Sequence, residues 1–257
     1  MLTPLEIERL SEEFETKTPQ EIITWAVDTF WPQIALSSSF QAQSMPLLYM
    51  ASRIRRDILV LFLDTGYHFW ETLIFREQIA SEWQLNVLDL YRDARWDSFA
   101  RLQTRALPFA DPNLCCYMHK VEPMQKAMKD MLAWISGIRR DQTSVRAKAK
   151  ILELQEDGLI KINPLLNWTK DDVKRYMEEN NLPNHPLFEK GYRSIGCTPC
   201  TIAIGVNDDE RAGRWSGRSK IECGLHTEMF KQSDLSKLKN DFQLDVSSMD
   251  RRRAPRD

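Results

Sequence analysis

The sequence predicts an α/β protein in which helices flank a mostly parallel β-sheet and a loop-rich C-terminal segment follows. Short apolar runs bounded by turn residues alternate with segments of helical periodicity along most of the chain. This alternation is typical of a parallel sheet covered on both faces, because each strand returns to the sheet through a crossover helix. The length of 257 residues is sufficient to bury one complete core of this kind.

The individual strands and helices follow from these two patterns. The candidate strands are short apolar runs, namely Ile34–Ser37, Ile58–Leu63, Val87–Leu90, Ala133–Gly137 and Leu159–Asn163. The candidate helices carry apolar residues at helical spacing, namely Glu21–Phe30, Ser44–Arg53, Phe69–Trp83 and Pro123–Met131. A further helix begins with a capping box formed by Thr169 and Asp172. Because ligands bind beyond the carboxyl ends of parallel strands, we expect the site in the loops after Leu36, Leu63 and Ile135.

Composition and charge argue against several classes of protein. The formal net charge of −2 gives no reason to expect binding to nucleic acid or to an anionic membrane surface. The acidic, amphipathic N-terminus does not resemble a secretory signal, and no apolar stretch approaches the roughly 18 residues of a membrane span. Five cysteines, an odd number, do not resemble a secreted disulfide framework. We therefore expect a cytoplasmic protein, in a reducing compartment.

The character of the sequence changes after about Asn184. Residues 185–226 contain three cysteines and little apolar periodicity, which predicts a loop-rich layer over the sheet. The last 25 or so residues are polar and contain three consecutive arginines, a pattern typical of a solvated, flexible tail. We therefore expect a single α/β domain over residues 1–226 and a flexible C-terminal tail over residues 227–257.

The five cysteines divide into a group of four and one separate residue. Cys115 and Cys116 are adjacent, Cys197 and Cys200 form a C-x-x-C pair, and Cys223 stands alone. A C-x-x-C turn lets two thiolates reach one metal, whereas adjacent cysteines fit more easily on an iron–sulfur cube, where they bind separate irons. Thiolate ligands alone allow zinc or iron–sulfur, and four buried, unligated cysteines are the alternative without a metal. The pattern predicts one metal centre and one separate thiol.

Six short motifs occur within roughly residues 20–230. They are Leu63-Asp64-Thr65-Gly66, Cys115-Cys116 with Lys120, the segment Gly137 to Gln142, Cys197-x-x-Cys200, Arg211-Ala212-Gly213-Arg214-Trp215 and Glu222-Cys223-Gly224-Leu225-His226. Together they resemble the assimilatory sulfonucleotide reductases, and specifically the bacterial adenylyl-sulfate (APS) reductases that carry a 4Fe–4S cluster. The resemblance implies a fold like that of the adenine-nucleotide α-hydrolases (Rossmann-like) and one 4Fe–4S cluster held by the four grouped cysteines.

The resemblance also implies a two-step reaction on adenosine 5'-phosphosulfate (APS). In the family, a cysteine thiolate attacks the sulfur, AMP leaves, and thioredoxin or a glutaredoxin-like dithiol protein then releases sulfite from the S-sulfocysteine. Cys223 is the expected nucleophile, because nearby cations help a thiol to ionise and Arg218, Lys220 and His226 are close to it in the sequence. The expected partners are therefore APS and a separate reductant, and the sequence is also compatible with a homo-oligomer.

Cationic side chains are the expected phosphosulfate contacts, because guanidinium forks suit the oxygens of a mixed anhydride. These candidates are Lys120, Arg139, Arg140, Arg146, Arg211, Arg214 and His226. The serine-rich turn after the first strand would bind phosphate through N–H groups and hydroxyls, and glycine-containing loops would shape the adenosine pocket. These further candidates are Ser38, Ser39, Phe40, Gln41, Leu63, Asp64, Thr65, Gly66 and Gly137.

Three alternatives remain open from the sequence. Related reductases without a cluster use the 3'-phosphorylated nucleotide PAPS, and the complete cysteine group favours APS over PAPS or dual use. A zinc-stabilised nucleotide-binding protein without catalysis would also fit the cysteines. An adenylating enzyme of the ATP-pyrophosphatase type is disfavoured, because the serine turn lacks the glycine pair of those relatives. His68, His119 and His185 are not at metal-ligand spacing with the cysteines and receive no role.

Overall fold

The computed structural model describes residues 2–41, 43–97, 107–218 and 220–227. The strands are β1 (Ile34–Ser37), β2 (Leu59–Asp64), β3 (Asn86–Tyr91), β4 (Ala133–Ile135), β5 (Leu152–Leu154) and β6 (Ile160–Ile162). They form one six-stranded sheet in the order β3-β2-β1-β4-β6-β5. Every neighbouring pair in this sheet is parallel except β5–β6. The predicted α/β class with a mostly parallel sheet is confirmed.

Strand β5 has no counterpart among the predicted strands. It is three residues long, Leu-Glu-Leu, and, unlike the equally short β6, which follows Gly158, it is not preceded by a turn residue that would mark its start in the sequence. It pairs antiparallel with β6, with Leu154 opposite Ile160. Gly158, with φ of +87°, lies in the turn between the two strands, where a side chain would strain the backbone. This hairpin forms the edge of the sheet opposite to β3.

Helices occupy the predicted positions between the strands. The α-helices in the described ranges are α1 (Pro4–Glu13), α2 (Pro19–Phe30), α3 (Met45–Ile54), α4 (Trp70–Glu82), α5 (Leu107–Ala110), α6 (Pro112–Cys116), α7 (Glu122–Met128) and α8 (Lys170–Glu179). A π-helical turn, Tyr117–Val121, joins α6 to α7. The predicted capping box of α8 is present, and the Asp172 N–H donates to Thr169 Oγ1 at 3.2 Å. Helices α1, α5 and α6 are additional to the prediction.

Two apolar clusters cover the two faces of the sheet. Ala35 and Leu36 are neighbours on β1 but belong to different clusters, because successive side chains of a strand point to opposite faces. The Leu36 cluster includes residues of α1–α4 and α8, among them Ile7, Ile22, Leu47, Phe75 and Val173. The Ala35 cluster includes Leu61, Leu114, Met118, Met124 and Trp134. The strands are therefore fixed from both sides.

Strand β1 lies where the order of the sheet reverses. The chain passes from β1 to β2 and β3 on one side and then returns to β4 on the other side. In open parallel sheets this reversal creates a crevice at the carboxyl ends of the strands, where ligands bind. The loops after β1, β2 and β4 line one cleft there, in agreement with the sequence prediction.

The described part of the predicted loop-rich layer, residues 185–218 and 220–226, has the expected character. It contains short turns and an isolated antiparallel bridge between Thr201 and Arg214. The predicted tail falls almost entirely on residues 228–257, which lie outside the described residues, so it stays a prediction. Over the ranges that the structure describes, none of the helices has the length and apolar character needed to cross a membrane.

Candidate active site

The cleft beyond β1, β2 and β4 collects most of the predicted site residues. Its lining comes from the loops after these strands, from the π-helical turn and from the loop-rich layer. The predicted site residues that line it are Ser38, Ser39, Gln41, Leu63, Lys120, Gly137, Arg146, Arg211, Arg214, Cys223 and His226. Side chains that are far apart in the sequence therefore meet at one place.

The serine turn after β1 is held in shape by hydrogen bonds. The Phe40 N–H donates to Ser38 Oγ at 3.0 Å. Phe40 has a φ of +52°, and its buried ring packs on Phe62. The Gln41 side-chain amide bonds both the backbone N–H and the carbonyl of Ile195. Phe40 therefore shapes the turn from the core, and Gln41 links it to the loop-rich layer.

The four grouped cysteines line a second, smaller cavity beside the cleft, which we call the cysteine cavity. Cys115 and Cys116 end α6, while Cys197 and Cys200 flank one tight turn. The remaining lining residues are Thr65, Tyr67, Pro108, Pro112, His119, Lys120, Arg214 and Trp215. Among the described residues, no three cysteine, histidine or carboxylate side chains are grouped as ligands of a single ion. The four thiols surround a space and do not converge on one point.

The π-helical turn directs several side chains into the cysteine cavity. Cys115 and Cys116 immediately precede it, and it contains His119 and Lys120. His119 Nε2 lies 3.2 Å from Arg92 Nη1, and its Nδ1 lies 3.0 Å from the Cys115 carbonyl oxygen. Because a guanidinium only donates, Nε2 accepts and Nδ1–H donates to Cys115. π-turns inside helices frequently occur at functional sites.

Lys120 and Arg214 form the wall between the two cavities. Both side chains line the cleft and the cysteine cavity. The Arg214 guanidinium lies 4.4 Å from the centre of the Trp215 ring. Burial opposes the charge of Lys120, but the neighbouring cysteine sulfurs, Cys197 and Cys223 foremost, outweigh burial and raise the pKa of Lys120. The wall therefore places two cations between the sulfurs and the cleft.

Two thiols of the cysteine cavity, those of Cys115 and Cys200, resist ionisation. Burial, followed by the charges of Cys197 and Cys200, raises the pKa of Cys115 to about 12. Burial also raises the pKa of Cys200. A metal centre would supply the positive charge that such a buried set of thiolates requires. The donor set therefore fits a thiolate-ligated metal centre.

The loop after β2 touches both cavities. Leu63 lines the cleft, whereas Thr65 lines the cysteine cavity and its Oγ1 lies 3.3 Å from Cys197 Sγ. The chain turns here because Asp64 Oδ1 accepts the Gly66 N–H at 3.0 Å and Gly66 has a φ of +70°. The turn thus ties the rim of the cleft to one of the grouped cysteines.

Cys223 lies in the cleft, close to the wall that separates the two cavities. The neighbouring Cys116 thiol and the charge of Lys120 together outweigh burial and lower the pKa of Cys223. The charge of Lys120 would keep this effect if Cys116 binds a metal. The thiolate, which is the nucleophilic form of cysteine, is therefore favoured at Cys223.

Glu222 anchors the segment that carries Cys223. Its buried carboxylate accepts hydrogen bonds from Arg146 Nε and Nη2, both at 2.8 Å, and from Thr143 Oγ1 at 3.1 Å. Its Oε1 also accepts the Cys223 N–H at 2.8 Å and lies 3.5 Å from Arg211 Nη2. Burial opposes ionisation, but the hydrogen bond and charge of Arg146 outweigh it and lower the pKa of Glu222. The carboxylate is thus charged and fully engaged.

His226 faces the cleft as a neutral imidazole. Its ring stacks on Trp134, with the ring centres 6.1 Å apart and the planes at 11°. Burial, followed by the charges of Arg146 and Lys161, lowers the pKa of His226 well below its usual range. Its buried Nδ1 has no hydrogen-bond partner among the described residues. The ring can therefore bind a polar group of a ligand.

Comparison with known proteins identifies the family. Residues 33–203 match the phosphoadenosine phosphosulfate reductase domain. The chain belongs to the phosphoadenosine phosphosulfate reductase family. It is 38% identical to a protein of Streptomyces coelicolor named adenosine 5'-phosphosulfate reductase, over 85% of this chain and 92% of the relative. A protein of the same name from Oceanobacillus iheyensis is 39% identical, over 83% of this chain and 90% of the relative. The resemblance inferred from the motifs is confirmed.

Solved structures agree with this assignment to the phosphoadenosine phosphosulfate reductase family. The phosphoadenylyl-sulfate (PAPS) reductase of Candida auris, solved with phosphate, has a TM-score of 0.68 and 30% identity, and the match covers 79% of this chain and 98% of that one. The FMN adenylyltransferase of Candida glabrata has a TM-score of 0.55 at 15% identity, over 91% of this chain and 81% of that one. The second likeness concerns the fold alone and agrees with the predicted fold like that of the adenine-nucleotide α-hydrolases.

Two of the predicted arginines do not line the cleft. Arg139 is buried and pairs with Asp141, with Nε 3.0 Å from Oδ1, and with Glu210 at 3.5 Å. Arg140 forms two hydrogen bonds with Glu15, at 2.6 and 2.8 Å. Both guanidiniums are thus engaged by carboxylates. The site candidates outside the lining of the cleft are Phe40, Asp64, Thr65, Gly66, Arg139 and Arg140.

The sequence analysis of this family member missed several residues of the two cavities. Glu222 stands beside Cys223, but its partner Arg146 is 76 positions away, and no local pattern joins them. Gln142, which lies in one of the motifs, lines the cleft next to Arg146. His119 received no role from its spacing, yet it lines the cysteine cavity. Further polar residues of the cleft without a signal in the sequence are Gln43, Ser44, Ser136 and Ser194.

Proposed function

We propose that the chain reduces adenosine 5'-phosphosulfate to sulfite and AMP, with Cys223 as the nucleophile and a separate dithiol protein as the reductant. The proposal is carried by the position of Cys223, which lies in the cleft of the sheet beside the cation Lys120. The relatives named adenosine 5'-phosphosulfate reductase support the substrate. The reaction belongs to assimilatory sulfate reduction.

The substrate would span the cleft from the strand ends to the wall. The turn after β1, with Ser38 and Ser39, would bind the phosphate, and the loops after β2 and β4 would enclose the adenosine. Lys120, Arg211 and Arg214 would bind the phosphosulfate oxygens, because they line the cleft near Cys223. The Arg146 guanidinium also lines the cleft but binds the Glu222 carboxylate. Charge on these oxygens moves to the leaving phosphate during the reaction, so fixed cations stabilise the transition state.

In the first step, the Cys223 thiolate attacks the sulfur of the sulfo group. A bond forms between Cys223 Sγ and that sulfur, while the bond from sulfur to the phosphate oxygen breaks. AMP leaves with the electron pair of the broken bond, and Cys223 carries the S-sulfo group. The neutral ring of His226 would bind an oxygen of the sulfo group, since its buried Nδ1 has no other partner in the described chain.

In the second step, a thiolate of the reductant attacks Cys223 Sγ. The bond between the two sulfurs of the S-sulfo group breaks, and sulfite leaves with the electron pair. The second thiol of the reductant then resolves the mixed disulfide and restores the Cys223 thiol. Two electrons pass from the dithiol, so the reductant becomes a disulfide. Thioredoxin, or a glutaredoxin-like protein, has this chemistry.

We further propose that Cys115, Cys116, Cys197 and Cys200 hold one 4Fe–4S cluster. A cluster binds each thiolate to its own iron, which suits two adjacent cysteines and four thiols that surround a cavity. When bound, the cluster would hold the end of α6 to the 197–200 turn and set the charge around the wall. The dithiol supplies both electrons of the reaction, so electron transfer by the cluster is not required.

The 3'-phosphorylated nucleotide, PAPS, is the second candidate substrate. The observation in its favour is the match to the PAPS reductase of Candida auris. The complete group of four cysteines favours APS, as the resemblance to the cluster-containing reductases implies. Turnover of the two nucleotides under identical conditions separates the candidates, and a higher kcat/KM for PAPS would overturn the assignment.

The test of the proposed reaction is anaerobic incubation of the intact, metal-loaded protein with APS in the absence of reductant. We expect the chain to gain the mass of one sulfo group, located on Cys223 by peptide mapping, and to release AMP in equal amount. Addition of thioredoxin should then release sulfite. Cys223→Ser is the control and should bind nucleotide without gaining mass. Release of AMP with an unmodified Cys223 would contradict the mechanism.

The proposed chemistry also suggests where and how the chain works. All five cysteines are free thiols in the structure, and a thiol nucleophile that depends on a dithiol reductant works in a reducing compartment. We therefore place the reaction in the cytoplasm. We also propose that residues 1–226 act as one domain, since the cleft joins β1 to the Cys223 segment, and that residues 227–257 are a tail.

A further inference from the structure

The segment around Cys223 is attached to the rest of the protein by both partly exposed and buried side chains. Arg218 donates to the Pro108 carbonyl at 2.5 Å, and Lys220 donates to Asn113 Oδ1 at 2.6 Å. Neither of these residues is fully buried. Glu222, in contrast, has only 3% of its surface exposed. The carboxylate of Glu222 is thus the innermost anchor of the segment.

The partner of Glu222 is shaped to bind it. Arg146 is also buried and presents Nε and Nη2 to the two carboxylate oxygens, each at 2.8 Å. This two-bond arrangement fixes the orientation of the carboxylate as well as its position. The same carboxylate accepts the Cys223 N–H through Oε1 at 2.8 Å. The backbone of Cys223 is therefore connected to Arg146 through a single, rigid side chain.

We propose that Glu222 is a positioning residue, which docks Cys223 in the cleft by binding Arg146. Arg146 on this view serves the nucleophile segment, and Lys120 and Arg214 serve the substrate. Arg211 contacts both, because its Nη2 lies 3.5 Å from the Glu222 carboxylate and its side chain lines the cleft. The inference rests on the proposed function for the role of Cys223, but the docking contact itself does not depend on the substrate.

An ion pair suits a segment that must leave the cleft again. After the first step, Cys223 has to meet the reductant, so its contacts must break and re-form in each cycle. Opening a pair of charges lets water hydrate both groups, whereas opening an apolar contact would expose hydrophobic surface. Glu222 and Arg146 therefore give a docked state that is precise in geometry and still reversible.

The test measures alkylation of Cys223 by iodoacetamide in the intact, metal-loaded protein without nucleotide. Peptide mapping separates Cys223 from the other four cysteines, and rates are compared on the high-pH plateau so that only accessibility differs. We expect Glu222→Gln and Arg146→Gln each to raise the plateau rate about tenfold, as loss of a charged hydrogen bond predicts. The double variant should be no faster than either single variant, because the two residues act as one unit.

A matched control comes from another carboxylate–arginine pair. Glu15→Gln breaks the two-bond contact with Arg140, which lies away from the cleft, and should leave Cys223 alkylation unchanged. Thr143→Val removes a neutral donor to Glu222 and the acceptor of the Arg146 N–H, while both charges of the pair remain, and it should raise the rate by a smaller factor. Thr143→Val still tests the docking role if the variants of Glu222 and Arg146 fail to fold. Unchanged plateau rates in the folded variants would overturn the docking role.

Kinetics with APS separate this inference from the proposed function. We expect the rate of sulfo transfer to Cys223 to fall about tenfold in Glu222→Gln, while the KM for APS stays within about twofold of the unaltered protein. If alkylation responds but APS never modifies Cys223 in the unaltered protein, the docking contact stands and the proposed function fails. If APS modifies Cys223 but alkylation does not respond, the docking role alone fails.

Discussion

The Arg214 guanidinium packs directly against the backbone of Gly196, which leaves no space for a β-carbon at that position. Gly196 immediately precedes Cys197, so the contact fixes one cation of the wall beside the grouped cysteines. Because the guanidinium is the end of a flexible side chain, an added methyl group would displace it and leave the surrounding backbone in place.

Gly196→Ala should therefore reduce turnover without unfolding the protein. We expect kcat/KM for APS to fall about tenfold, the size of one charged hydrogen bond, with little change in Tm. Steady-state kinetics and thermal unfolding measure the two effects. Arg214→Ala should change kcat/KM in the same direction. Unaltered turnover in Gly196→Ala would show that the position of Arg214 is unimportant.

Cys200→Ser should remove the proposed 4Fe–4S cluster, because the remaining three thiolates would leave one iron without its ligand. We expect the iron content to fall from about four per chain and the absorbance near 400 nm to disappear. Cys223→Ser is the matched control and should retain both signals, since Cys223 lies in the cleft and outside the lining of the cysteine cavity. A colourless protein with one zinc would support the zinc alternative instead.

Lys120→Ala should raise the pKa of Cys223. The Lys120 ammonium favours the Cys223 thiolate, so its removal should shift the midpoint of the alkylation profile to higher pH. At pH 7 the rate of sulfo transfer would fall accordingly. Lys129→Ala removes an exposed lysine of the same region and should leave the midpoint unchanged. An equal shift in both variants would indicate a general charge effect.

His185→Asn should reduce the pH dependence of stability. His185 is buried; its Nδ1 accepts the Leu187 N–H at 3.1 Å, and Nε2–H donates to Thr72 Oγ1 at 3.0 Å. Burial lowers its pKa to about 4, so below pH 6.5 the unfolded chain binds a proton that the folded chain refuses. The free energy of unfolding therefore decreases as the pH is lowered, and His185 accounts for about 2 kcal/mol of this decrease at pH 5.

Urea unfolding at pH 7 and pH 5 measures the effect of His185. The asparagine side chain can still accept the Leu187 N–H but does not titrate. The difference in unfolding free energy between the two pH values should therefore be smaller in His185→Asn than in the unaltered protein by about 2 kcal/mol. An identical difference in both proteins would show that His185 is protonated in the folded state.

Much of the fold could be predicted because local patterns determine it. The apolar runs of β1 and β2 and the capping box at Thr169 each lie within a few residues of sequence, and each is present in the structure. The hairpin strand β5 was missed because no turn residue marks its start in the sequence. Its position depends instead on pairing with β6.

The site was harder to predict because its geometry depends on long-range packing. Arg140 and Arg146 are six positions apart and chemically identical, yet the first pairs with Glu15 and the second lines the cleft. Nothing in the local sequence separates them, because the direction of each side chain depends on which carboxylate it meets. The role of Glu222 could not be predicted for the same reason, since its partner Arg146 lies in a different part of the chain.

Lys120 and Arg214 line both cavities, so the proposed cluster and the proposed nucleotide would be thermodynamically coupled. With a thiolate-bound cluster on one side and an anionic nucleotide on the other, both negative groups would interact electrostatically with the same two cations. Linkage then requires that any effect of the nucleotide on the reduction potential be matched by an equal effect of the oxidation state on nucleotide affinity. A metal centre that passes no electrons to the substrate would still tune how tightly the substrate is held, through two side chains and without any movement of the fold.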